Sequence, residues 1–234
     1  MAKTLDSIGV AFRIIVIVVR PLLLLLTRRT IHGAHHIPTA GPAIVACNHL
    51  SLADPPLAGM FLYEHGRVPH FLGKASVFRI PIVGAIIRSA GNIPVERSSV
   101  NAAAALVPAK KSLDAGRCIV IYPEGTLTHD ADLWPMRGKT GAVRLALMTG
   151  APLLPTAIWG TEQLFGRRAR KFPCFPRTRV AMSVGAPIDL SDLHSRSDDP
   201  DALRAGTARL MAAITELLAE IRGERPSNPE SVTS

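Results

Sequence analysis

Three cysteines, Cys47, Cys118 and Cys174, are too scattered and odd in number to form a disulfide framework, and none has zinc-ligand spacing. Cys47 and Cys118 sit in apolar runs, which reads as buried core in a reducing compartment. Long uncharged apolar runs are missing as well. The stretch Ile8–Leu26 is apolar apart from Arg13 and Arg20, and these break it into pieces shorter than the ~18 residues of a simple spanning helix. No Gly-x-Ser-x-Gly nucleophile elbow is present, so a serine acyl-enzyme has little support. Gly138-Lys139-Thr140 has the ending of a phosphate-binding P-loop, but the position that needs the first glycine is Leu133, so that motif is absent too.

What is present fits one α/β domain with terminal attachments. The chain has 234 residues, 47% of them hydrophobic, enough for a substantial core. Its formal charge of +9 is uneven, because residues 191–234 hold five Lys/Arg against eight Asp/Glu. The cationic surplus therefore lies on residues 1–190 and suits a polyanion: nucleic acid, anionic lipid or a phosphorylated substrate. Phe165–Arg179 concentrates it, with six Lys/Arg, three Phe and no acid. An anionic membrane surface, a nucleic acid or plain solvent would each suit that stretch.

Arg13, Arg20 and Thr27 recur every seventh residue and would share one helical face, while Pro21 should kink or divide the helix. Residues 1–34 thus read as a membrane-associating segment, an interfacial or shallowly inserted helix pair. A signal peptide fits less well, since charges interrupt the apolar segment and no small-x-small cleavage site follows. A single tilted span with snorkelling arginines is the other reading, and Arg28 and Arg29 would then mark a cytoplasmic end.

From Gly41 onward short apolar runs alternate with helix-compatible stretches. Ala43–Cys47, Cys118–Tyr122, Leu153–Ile158 and Val180–Val184 read as buried strands. Ser99–Ala115, with a blemish at Pro108, and Gly141–Met148 are rich in alanine and leucine. The alternation predicts a mixed or largely parallel sheet covered by helices over 35–190, with the site at strand ends. Over Asp201–Arg222, Leu203, Leu210, Ile214, Leu217, Leu218 and Ile221 form one helical stripe, started by Asp199-Pro200 and stopped by Gly223. Residues 191–223 therefore read as a C-terminal packing region and 224–234 as a disordered tail.

Two short motifs carry the chemistry. Asn48-His49-Leu50-Ser51-Leu52-Ala53-Asp54 places a carboxylate five residues after a histidine. That spacing puts the two side chains about 140° apart on a helix and on opposite faces of a strand, so they meet only across a turn. A histidine so oriented can take a proton from an alcohol. The competing reading makes Asp54 the N-cap of a helix beginning at Pro55-Pro56. Pro123-Glu124-Gly125-Thr126 directly follows a buried strand, where a glycine lets a ligand approach the backbone.

These two blocks, with Gly91-x-Ile93-x-Val95-x-Arg97 and Leu154-Pro155-Thr156, appear in the order and spacing of the glycerophospholipid acyltransferase family. The chain resembles that family over roughly residues 35–190, and most closely its bacterial members that acylate 1-acyl-sn-glycerol 3-phosphate.

The resemblance implies that His49 is a general base oriented by Asp54. It also implies that Arg97, assisted by Lys74, contacts the acceptor phosphate, and that Glu124, Gly125 and Thr126 belong to acceptor binding. Ser51 is a further candidate for substrate contact, or else a turn residue. The expected partners are lysophosphatidate, an acyl thioester (acyl-CoA or acyl-carrier protein) and anionic membrane lipid, at the cytoplasmic face of the cell membrane. No cofactor, metal or nucleic acid is implied. Another lysolipid or glycolipid acceptor is the alternative within the family, since Leu127 stands where many relatives carry arginine. An inactive homologue that only binds anionic membranes is the alternative outside it.

Overall fold

Central strands that are apolar on both faces need helices on both sides, and this governs the architecture. The computed structural model describes residues 10–95, 104–165, 169, 176–194 and 196–226. In chain order the helices are α1 (Val10–Leu26), α2 (Asp54–Glu64), α3 (Ala75–Phe78), α4 (Val83–Ser89), α5 (Val107–Asp114), α6 (Gly141–Thr149) and α7 (Pro200–Arg222). The strands are β1 (Thr27–His32), β2 (Ala43–Cys47), β3 (Pro69–Lys74), β4 (Ile93–Val95), β5 (Cys118–Ile121), β6 (Leu153–Trp159) and β7 (Thr178–Val184).

They form one sheet in the order β1-β7-β6-β2-β5-β3-β4. β6, β2, β5, β3 and β4 run parallel; β7 is antiparallel to β6, and β1 is parallel to β7. The sheet is thus mixed and mostly parallel. One edge collects the C-terminal ends of the five parallel strands together with the N-terminal ends of β1 and β7.

Alternation along β2 and its neighbours splits the core in two. Ile44, Ala46, Ile119, Ile121 and Leu153 pack under α5, α6 and α7. Val45, Cys47, Val120, Leu154 and Met182 face the other way, against Leu23 of α1 and Leu57 and Phe61 of α2. Cys47 and Cys118 are buried free thiols, and burial pushes the pKa of Cys118 up to about 11. α7 begins as expected, with the Asp199 carboxylate accepting from the Asp201 N–H, and ends on left-handed Gly223. Pro108 is no blemish: it occupies the first turn of α5, where no N–H is needed.

The N-terminal segment differs from the expected helix pair. Pro21 lies inside one continuous helix. It removes the bond to the Ile17 carbonyl, but Ile17 is on the exposed face, so the helix continues past the missing bond. Thr27 does not extend the arginine stripe. It starts β1, and its hydroxyl donates to the Leu23 carbonyl. Arg20 pairs with Glu64 at the end of α2, as does Arg29, which uses both guanidinium nitrogens and lies over the Phe61 ring. No helix among the described residues is long and apolar enough to cross a membrane.

Candidate active site

β2 ends at Cys47, and Asn48 fastens the turn that follows. Its side-chain Nδ2 donates to the Ile158 carbonyl at 3.1 Å, and its Oδ1 accepts from the Ile158 N–H at 2.8 Å. The clasp ties the turn to β6 and aims His49 back toward α2. His49 Nδ1 lies 2.8 Å from Asp54 Oδ2. The same oxygen accepts from the N–H groups of Leu50 at 2.6 Å and Ser51 at 2.9 Å.

Asp54 therefore does not cap α2. It is the first residue of the helix, and its side chain turns back to gather donors from the preceding turn. With the Leu50 and Ser51 N–H groups directed at it, Oδ2 acts as acceptor, which in the neutral ring assigns the proton to Nδ1 and the lone pair to Nε2. Asp54 is fully buried, whereas the His49 side chain is 16% exposed. The histidine thus has one nitrogen anchored in the protein and the other available at the surface.

Tyr122, at the end of β5, stacks on the His49 ring with centroids 4.1 Å apart and planes at 22°. Its hydroxyl is buried without a hydrogen-bond partner, as is Asp54 Oδ1. Burial pushes the Tyr122 phenol up, with the nearby Cys47 and Asp54 adding to the shift.

Glu124 points inward. Its carboxylate accepts from the His49 N–H at 3.1 Å and the Met136 N–H at 3.0 Å, joining the two loops that form the site floor. Burial raises its pKa to about 7 against the lowering effect of these bonds. The Thr128 N–H closes the junction by donating to the His49 carbonyl at 2.8 Å. Gly125 has a φ of +74°, and the Lys139 chain crosses it so closely that a Cβ there would lie 3.0 Å from Nζ. Thr126 beside it is exposed.

Other candidates separate by position. Ser51 is fully buried; its hydroxyl donates to the Phe165 carbonyl and accepts from the Ala53 N–H, which is the turn role. Lys74 is exposed where β3 ends, on the same sheet edge as His49. Arg97 lies outside the described residues. Arg167, Arg168, Arg170 and Lys171 of the basic stretch lie outside them too. Among the described residues, no group of three or more His, Cys, Asp or Glu could hold a metal.

Sequence reasoning gave no role to the Tyr122 ring or to Lys139. Tyr122 was visible as the residue before Pro123, and Lys139 inside the failed P-loop pattern; neither spacing reveals that Tyr122 meets His49 across strands or that Lys139 folds back over Gly125 within its own loop.

A family model described as acyltransferase matches residues 28–159, more than half of the chain. A 1-acyl-sn-glycerol-3-phosphate acyltransferase of Borreliella burgdorferi is 36% identical over 57% of this chain, which spans about half, 52%, of that relative's length. A protein of the same name from Bacillus subtilis is 26% identical over 80% of this chain and 86% of its own. The crystal structure of the 1-acyl-sn-glycerophosphate (LPA) acyltransferase PlsC from Thermotoga maritima superposes with a TM-score of 0.66 at 23% identity, covering 92% of this chain and 81% of that one. That likeness establishes a shared fold.

Proposed function

Because the chain belongs to the acyltransferase family, we propose that it transfers a fatty acyl group from acyl-CoA or acyl-carrier protein to the sn-2 hydroxyl of 1-acyl-sn-glycerol 3-phosphate, giving phosphatidate. The observation that carries this is the 2.8 Å His49–Asp54 contact, with Nδ1 anchored and Nε2 turned to the accessible side. Nε2 removes the hydroxyl proton as the oxygen attacks the thioester carbonyl. The C–S bond then breaks, and the thiolate leaves with the proton that His49 holds. Asp54 stabilises the transient imidazolium, worth about 10²–10⁴-fold together with the proton transfer.

Lys139, Lys74 and Arg97 supply the cations for the acceptor phosphate, and the names of the Borreliella and Bacillus relatives support that acceptor. The exposed stripe Ile14, Ile17, Val18, Leu22 and Leu25 on α1 supports membrane association, with the helix lying in one leaflet.

Turnover across a panel of lysolipids tests the reading. Lysophosphatidate should exceed lysophosphatidylcholine about tenfold or more, because charge-assisted contacts to an open phosphate monoester are lost with choline attached. A preference for an uncharged or glycolipid acceptor would reassign the substrate. An acyl–protein adduct formed from thioester alone, seen by intact mass, would reject direct attack.

A further inference from the structure

The corner between α3 and α4 presents an apolar tip that the proposed chemistry leaves unused. Ile82 stands at φ 63° and ψ −61°, and the Val83 N–H closes a three-residue turn on the Pro81 carbonyl at 2.7 Å. That turn is the strained, positive-φ kind which a β-branched residue rarely adopts. It throws the Ile82 side chain outward, leaving it 77% exposed, more than any other large hydrophobic among the described residues. Ile80, Val83 and Ile86 beside it are exposed as well.

The corner is firmly held from beneath. Phe78 is buried, and Gly84 presses so close that a Cβ there would fall 2.0 Å from the Phe78 carbonyl oxygen. Arg88 donates to that same oxygen. A fixed apolar apex aimed at solvent suits an apolar phase rather than water. Its rim suits an anionic one, for Lys74, Arg79 and Arg88 are exposed around it and residues 65–95 contain no Asp or Glu. The position agrees: α4 lies beside α1, and α3 starts where β3 ends on the edge that carries His49.

We propose that the α3–α4 corner is a second membrane-inserting wedge, sinking Ile80, Ile82, Val83 and Ile86 into the anionic leaflet that α1 occupies. The proposal rests on the membrane reading of α1 above and adds a separate point of insertion.

A fluorophore reports it. In full-length protein carrying Cys174→Ser, with Cys47 and Cys118 buried, Ile82→Cys is labelled with an environment-sensitive dye; Asp114→Cys serves as control. Vesicles of phosphatidylglycerol and phosphatidylcholine with acyl-chain spin labels should blue-shift and quench the dye at 82 and leave that at 114 unchanged. In parallel, Ile82→Asn should lower vesicle partitioning roughly tenfold without lowering thermal stability, because asparagine tolerates positive φ.

Co-sedimentation with the vesicles while the dye at 82 stays in water would overturn the wedge and leave the membrane reading of α1 standing. Failure to sediment at all would overturn both. A dye at 82 already shielded without lipid, with a dimer mass, would overturn the wedge in favour of self-association.

Discussion

The two oxygens of the Asp54 carboxylate are used unequally, and that asymmetry sets what substitution should do. Oδ2 holds His49 and two backbone N–H groups; Oδ1 is buried and has no hydrogen-bond partner. Asp54→Asn keeps an oxygen for the turn but removes the charge that favours imidazolium. Turnover should fall about 10²-fold or more, with little change in thermal midpoint. A helix cap would tolerate the change, since asparagine caps as well as aspartate, so a nearly active variant in a turnover assay would reduce Asp54 to structure.

Glu124 predicts a pH dependence of a different kind. Its folded pKa, about 7, lies above the ordinary 4.5 because burial disfavours the charge. Between those values the folded protein binds more protons than the unfolded chain, so this group's contribution to stability declines as pH rises from 4.5 to about 7 and is flat above. The slope reaches at most about 1.4 kcal/mol per pH unit. Thermal midpoints across that range should decline less in Glu124→Gln than in the native protein, although the variant loses one of the two loop contacts. Parallel curves would place the carboxylate elsewhere. The His49–Asp54 pair was legible in sequence because its spacing lets the side chains meet only across a turn and because a second motif follows it in the order of the acyltransferase family's blocks. The inward direction of Glu124 was not, since it depends on a Met136 N–H from further along its own loop and on the His49 N–H from a loop remote in sequence.

Among the elements, the strands that could be read from sequence are those buried on both faces, such as Ala43–Cys47, found with the expected boundaries. Edge strands escaped. Thr27-Arg28-Arg29-Thr30-Ile31-His32 reads as polar, because β1 at the sheet margin alternates buried and exposed positions instead of forming an apolar run. β4 is only three residues long. What fixes β1 is a glycine at its end: Gly33 has a φ of +66°, and a Cβ there would fall 1.9 Å from the Val184 carbonyl oxygen of β7. Gly33→Ala should therefore cost on the order of 2–4 kcal/mol. A urea unfolding midpoint measures it, and an unchanged midpoint would mean that the β1–β7 junction relaxes freely. The continuous α1 teaches a related lesson: Pro21 removes one hydrogen bond without ending the helix, and Ile17, four residues before it, is exposed.

At the scale of the whole molecule, the alternation of strands and helices disclosed the layers and placed the site at strand ends, but gave no strand order. The order arises from crossovers whose contacts are remote in sequence, and periodicity does not record them. The reversed direction of β1 and β7 relative to the other five strands has the largest consequence. It brings the last turn of α1 to the same rim as His49. On the membrane reading proposed above for α1, the acceptor and the diacyl product of the proposed reaction would reach and leave this rim by lateral diffusion, while the thioester would arrive from water. Turnover should then respond to the mole fraction of lysolipid within the bilayer and fall on surface dilution, even when its bulk concentration is held constant.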